Sequence, residues 1–154
     1  MSQVSAPDGI LIREIAPDDA VGAAGLSAEL GYPATPEAIR QRIVARAGLS
    51  GYAVFVACLE GKVVGWIDLA VIHHLASDPR AEISGLVVTA ELRSRQIGRL
   101  LVDRAEQWAR AQGLTQMLVR SRSTREAAHR FYLTNGYELN KTSAVFVKDL
   151  TAAP

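Results

Sequence analysis

At 154 residues the chain has the length of one ordinary domain, and a globule of that size buries roughly 68% of its extended-chain surface. Its 49% hydrophobic and 21% charged residues exclude a disordered tail, a collagen repeat and a disulfide scaffold, and no apolar run reaches the roughly 18 residues of a membrane span. The net charge of +1 argues against a dedicated nucleic-acid binder, but the charges are segregated: residues 93–130 hold nine Arg against Asp103, Glu106 and Glu126, while residues 1–92 hold six Lys and Arg against eleven Asp and Glu. Either the segregation is without function, or it marks an anionic partner for the later half and a cationic one for the earlier half. The N-terminal residues have no basic stretch followed by an apolar one, so no signal peptide is expected. The single cysteine, Cys58, lies in an apolar run, which suits a core position and a reducing cytosol; a cytoplasmic location is the expectation.

Residues 1–8 and 151–154 read as flexible termini around one domain, 9–150. Residues 10–15 (Ile-Leu-Ile-Arg-Glu-Ile) form a short strand. Pro17-Asp-Asp opens a helix that runs to Leu30 and stops at Gly31. Thr35 is a natural N-cap, with Pro36 at the first helical position, for a second helix to Ala47. Strands over 52–60 and 62–71 meet at Glu60-Gly61-Lys62, a hairpin signal. Residues 73–80 read as a loop because of Asp78-Pro79, and 81–89 as a further strand. Ile97, Leu100, Leu101, Ala105 and Trp108 recur at helical spacing, so 97–112 is an amphipathic helix ended by Gly113. A buried strand follows at 117–119, then a helix over 125–134 capped by Thr124, then strands at 137–139 and 143–150. The order β-α-α-β-β-β-α-β-α-β-β predicts an α/β fold with a central mixed sheet flanked by helices.

Chemistry concentrates where strand 81–89 passes through a basic turn into helix 97–112. Free amides at a helix N-terminus bind anions, Gly98 lets a phosphate approach the backbone, and Arg93, Arg95 and Arg99 add forked donors. A solvated arginine cluster is the competing reading. Neither the dinucleotide glycine fingerprint nor the P-loop pattern is present.

This segment resembles the acetyl-CoA motif of the GCN5-related N-acetyltransferases (GNAT). The family's Leu-x-Val-x-Pro strand and Arg/Gln-x-x-Gly-x-Gly/Ala turn correspond to Leu86-Val-Val88-Thr-Ala90 and Arg93-Ser-Arg-Gln96-Ile-Gly98. Its second motif corresponds to Arg125-Glu-Ala-Ala128-His-Arg-Phe131-Tyr132-Leu-Thr-Asn-Gly136-Tyr137. Gln96 stands where the family has the first motif glycine, and Arg125 where it has asparagine. The second motif is also similar, more weakly, to the aminoglycoside 6′-N-acetyltransferase subgroup.

The resemblance implies the GNAT fold and a cytosolic acyltransferase that moves an acetyl group from acetyl-CoA to a primary amine by direct attack in a ternary complex. It implies that Leu86, Val87 and Val88 bind the pantetheine arm, that Ser94, Arg95, Gln96, Ile97, Gly98 and Arg99 hold the pyrophosphate, and that Arg93 or Arg125 meets the 3′-phosphate. Tyr132 corresponds to the general acid, and Glu82 to a base glutamate that a raised pKa in an apolar site would suit. His129 shares a helix face with Arg125 and Tyr132 and either contacts CoA, positions Tyr132 or is a surface residue. His73 or His74, or a water chain, are the alternative bases. Being adjacent, the two histidines point oppositely on a strand, and no metal site is expected. Asp68 either attracts a cationic substrate or lies at the surface. The expected acceptor is a small cationic amine, aminoglycoside- or polyamine-like. A peptide amine, or a non-catalytic acyl-CoA-binding module, are the alternatives. No nucleic-acid or membrane partner is expected, and the resemblance leaves room for a homodimer.

Overall fold

The computed structural model describes residues 4–5 and 9–151, apart from the side chains of Val4, Ser5, Ser94 and Arg95. The chain divides into two compact units, Met1–Arg120 and Ser121–Pro154.

The first unit is a six-stranded sheet in the order β1 to β6: β1 (Val4–Ser5), β2 (Ile10–Glu14), β3 (Tyr52–Leu59), β4 (Lys62–His74), β5 (Ser77–Val88) and β6 (Met117–Val119). All pairs are antiparallel except β5–β6. A parallel pair needs a crossover, and α3 (Ile97–Ala111) supplies it. Helices α1 (Ala20–Leu30) and α2 (Pro36–Ala47) lie between β2 and β3 in the chain. Thr35 caps α2 as expected, its hydroxyl accepting from Ala38 N–H at 3.1 Å.

The core follows the alternation of the strands. Phe55, Ile67, Leu69 and Ile83 are almost fully buried, and so are Ile97, Leu101 and Ala105 of the α3 stripe. Gly65 sits under this helix: a Cβ there would meet Leu101 Cδ1 at 3.2 Å and the Val87 carbonyl oxygen at 3.0 Å. Cys58 is a buried core residue, and burial pushes its thiol pKa up, against the nearby charge of Arg13.

Three expectations change in this unit. Val4–Ser5 pairs with Ile12 and Leu11, so part of the terminus taken as flexible is a strand; residues 1–3, 6–8 and 152–154 lie outside the described residues. Residues 73–80 are not a loop: β4 runs to His74 and β5 starts at Ser77, with Leu75 and Ala76 as the turn. Pro79 is tolerated because the register is irregular there, and β6 reaches only residues 81–83 of β5, leaving the other side of β5 open at 77–80. Finally, the first helix begins as a 3-10 turn, Pro17–Asp19, before α1 proper.

The second unit holds α4 (Glu126–Thr134). Arg125, not Thr124, occupies its N-cap position, and no side chain caps it. The strands expected at 137–139 and 143–150 do not form, and residues 137–149 carry no regular structure. Val145, Phe146 and Val147 are 82%, 93% and 90% exposed. Among the described residues no strand pairs with this segment, and β-propensity without a partner does not make a strand.

Candidate active site

The site in the first unit is made by two strands that part. β5 and β6 are in register only at Ala81, Glu82 and Ile83, opposite Met117, Leu118 and Val119. The other edge of β5 stays paired with β4 as far as Val88, opposite Gly65. Just at the parting, Ser84 is an extra residue: Asp68 faces Gly85 while Leu69 faces Ile83, so two steps on β5 match one on β4. Thr89 N–H donates to Val64 O at 2.8 Å. Backbone groups alternate along an antiparallel ladder, so those of Leu86 and Val88 point away from β4, toward the gap. Arg93 Nε reaches the Val88 carbonyl from that side at 3.4 Å. Among the described residues no strand pairs with this edge at 86–88, and apart from that Val88 contact its outward polar groups are the complement an amide-rich arm needs.

That edge leads through a 3-10 turn, Ala90–Arg95, into α3. Gln96 joins them at φ 61°, ψ 18°, a left-handed conformation for a residue with a Cβ. The glutamine therefore does the turning that glycine does more easily. No side chain caps α3, and its first turn has no acid. Its leading amides, at Ile97, Gly98 and Arg99, lie at the positive end of a 15-residue helix. Ile97 is fully buried and anchors the turn, while Arg93 and Arg99 are exposed and add cationic charge beside it.

Glu82 is not in apolar surroundings. Arg120 Nε donates to its Oε1 at 3.2 Å, and the Glu82 side chain is 16% exposed. Asp68 lies 2.7 Å from an Arg46 Nη2 that also donates to Leu69 O. Trp66 covers Gly85, where a Cβ would lie 2.9 Å from the indole, and donates through Nε1 to Ala23 O at 3.2 Å. His73 and His74 sit exposed at the β4–β5 turn. Among the described residues no group of three His, Cys, Asp or Glu is placed to hold a metal ion, and no helix is long and apolar enough to cross a membrane.

In the second unit, His129 and Tyr132 lie on α4 and Arg125 sits at its N-cap. The His129 Nε2–H donates to the Arg122 carbonyl at 2.9 Å, which ties the loop before the helix to its second turn. Tyr132 packs edge-on to Phe131, with ring centroids 5.3 Å apart, and against Tyr137 at 5.8 Å. Burial pushes the Tyr132 phenol pKa up, against the opposing charge of Arg125, so the hydroxyl stays protonated.

A model of the acetyltransferase (GNAT) family matches residues 12–137. The chain is a member of the GNAT acetyltransferase family. An aminoalkylphosphonate N-acetyltransferase of Salmonella typhimurium is 38% identical over 84 residues, 54% of this chain and 54% of that protein. An uncharacterized N-acetyltransferase of Bacillus subtilis is 46% identical over 50 residues, 32% of this chain and 35% of that protein. The chain thus spans about half, or less, of the relatives it matches. Among solved structures, the aminoglycoside N-acetyltransferase AAC(6')-Iy in complex with CoA superposes with a TM-score of 0.82 at 17% identity, covering 94% of this chain and 98% of that one. An aminoglycoside acetyltransferase from an uncultured soil metagenomic sample, in complex with sisomicin, gives 0.75 at 21% identity, with 92% and 96% covered. The expected fold class and the expected family, GNAT in both cases, hold.

In this GNAT chain the motifs point to the 86–99 segment, whereas Arg46, Arg80 and Arg120, which gather on one sheet face, carry no motif. Arg120 follows the β6 residues 117–119 and shares parity with Leu118, which faces Glu82, but that register is set by the pairing of β5 with β6 and no sequence pattern shows it. Arg80 and Glu82 are two apart on one strand and so share a face. Arg46 comes from a distant helix, and no sequence pattern joins it to Asp68.

Proposed function

We propose that the chain transfers an acetyl group from acetyl-CoA to the amine of a small molecule. The observation that carries this is the edge of residues 86–88, without a partner strand among the described residues, running through Gln96 into the uncapped N-terminus of α3. Leu86, Val87 and Val88 would take the pantetheine arm, with the outward amides of Leu86 and Val88 as its donors. The backbone of residues 94–99 would take the pyrophosphate, with Arg93 and Arg99 adding charge and Arg125 or His129 offering further CoA contacts.

The acceptor nitrogen attacks the thioester carbonyl, the C–N bond forms, and the C–S bond breaks. Donors on the strand edge stabilise the oxyanion as it develops, and holding both reactants lowers the entropic barrier. Tyr132, a phenol kept protonated, is assigned to give its proton to the departing thiolate, and the second proton that the attacking nitrogen sheds as the amide forms returns to the phenolate. Glu82 is assigned to receive the ammonium and take its proton directly or through water. Its ion pair with Arg120 makes it an oriented carboxylate rather than an apolar one. The named activities of the Salmonella relative and of the aminoglycoside enzymes are acetylations of small amines, which supports a small-molecule acceptor. We further propose that residues 9–150, of which the family match spans 12–137, act as one acetyltransferase domain.

The test is incubation of the protein with acetyl-CoA and a panel of amines, with release of free thiol as the readout. Amine-dependent thiol release is expected. CoA binding without transfer to any amine would leave an acyl-CoA-binding module instead.

A further inference from the structure

The sheet face carrying Asp68 and Glu82 also carries a guanidinium that no carboxylate pairs among the described residues, a group a bare ammonium would not call for. In register, Tyr52, Ala70, Glu82 and Leu118 form one row across β3 to β6. Ala70 makes a low floor between Tyr52 and Glu82. On one side of this row Asp68 faces Gly85, and on the other Ile72 faces Arg80.

Near this row stand the guanidiniums of Arg46, Arg80 and Arg120 and the carboxylates of Asp68 and Glu82; Arg13, farther along the same face opposite Val56, is paired with Asp19. Arg46 lies 4.9 Å above the Tyr52 ring and against Asp68. Arg120 holds Glu82. Arg80 has neither carboxylate, and its buried Nε has no hydrogen-bond partner among the described residues. The Arg46 Nε is likewise buried without a partner. Buried donors are ordinarily satisfied, and a guanidinium presents a planar fork that fits an oxyanion.

We infer that the acceptor is a small amine that also carries an oxyanion, a phosphonate or carboxylate a few bonds from its nitrogen. The oxyanion is taken by Arg80, while Glu82, one step along the same face of β5, receives the ammonium. This rests on the acetyl-transfer reading above and narrows its acceptor from amines in general to zwitterionic ones. Arg80 is a specificity residue: it fixes the end of the acceptor away from the reacting nitrogen.

Two measurements test it separately from the activity. In the first, kcat/KM is compared for 2-aminoethylphosphonate, β-alanine, propylamine and spermidine at saturating acetyl-CoA. At least one oxyanion-bearing amine should exceed both others by tenfold or more. Arg80→Gln should reduce that ratio at least tenfold, mainly through KM, and Arg80→Lys should restore part of it. Propylamine or spermidine matching the oxyanion-bearing amines, or a ratio unmoved by Arg80→Gln, overturns the inference while leaving acetyl transfer intact. In the second, 2-aminoethylphosphonate and β-alanine are titrated calorimetrically into the CoA-bound protein. The ligand preferred in the first measurement, or either one if no amine is acetylated, should bind wild type at least tenfold more tightly than Arg80→Gln. Such binding without acetylation of any amine would overturn the acetyl-transfer reading and retain the anion site. Equal affinity of the two proteins, or no binding of either compound, overturns the site.

Discussion

Gln96 concentrates the cost of the candidate cofactor site in one residue. At φ 61° it holds a left-handed conformation that costs an L-residue about 1–2 kcal/mol, more if the side chain is β-branched. Glycine would remove that cost but lose about 0.5–1 kcal/mol of it to unfolded-chain entropy. Gln96→Gly should therefore be neutral to about 1 kcal/mol stabilising, and Gln96→Val clearly destabilising, in urea unfolding. A Gln96→Val protein as stable as wild type would contradict the conformation. Tyr132 makes a second prediction at this scale. Tyr132→Phe should lower kcat by about 10²–10⁴-fold with little change in CoA affinity, because a proton donor acts in the transition state. Its raised pKa also has a signed consequence for stability. The unfolded phenol, at about 10, loses its proton first, so the folded state binds more protons above that pH and stability falls as pH rises through it. Unfolding of wild type and Tyr132→Phe between pH 8 and 11 should show this fall reduced in the mutant; identical pH dependence would contradict it.

At the scale of elements, the join between β2 and α1 rests on one carboxylate. Asp19 takes two bonds from Arg13 of β2, at 2.7 and 2.8 Å, and one from Ala16 N–H at 2.7 Å. Hydrogen bonding to Arg13, more than to the backbone, holds its carboxyl below the usual range despite burial. A depressed carboxylate pKa gives stability that is full above the unfolded value, about 4, and is lost as pH falls below it. Asp19→Ala should cost about 2–3 kcal/mol at pH 7 by urea unfolding, and the gap to wild type should close in acid. A cost that is independent of pH would assign the effect to packing instead. Elements fixed by local rules were legible in the sequence: the α3 stripe, the Glu60-Gly61 hairpin, the Thr35 cap. The β5–β6 parting and the Ser84 bulge were not, because register depends on pairing between distant residues, 36 apart for Ala81 and Met117 and 17 apart for Asp68 and Gly85. The same holds for the Glu82–Arg120 pair, which turned an expected apolar carboxylate into an ion-paired one. The apolar run 143–150 carried the local pattern of a strand, but a pattern does not supply a partner.

At the scale of the whole molecule, charge segregation in the sequence pointed to an anion at the basic stretch that begins at Arg93, and α3 begins within that stretch. CoA carries several negative charges, so its affinity should weaken several-fold as salt rises from 0.05 to 0.5 M, since exposed Arg93 and Arg99 are screened over a few ångströms at the higher value. Fold and family were both legible because two short motifs stand at a fixed separation within a matched span of 126 residues, 12–137. The acceptor was not, because it is recognised by side chains that meet only across strands. If the start of α3 holds the cofactor, calorimetric titration of CoA into wild type and Gly98→Glu shows it. Glutamate suits a helix interior, so the variant should fold with an unchanged circular dichroism spectrum, while a carboxylate among the leading amides repels the pyrophosphate. One-site binding to wild type and no measurable binding to folded Gly98→Glu is the predicted result; equal affinity in the two proteins would contradict it.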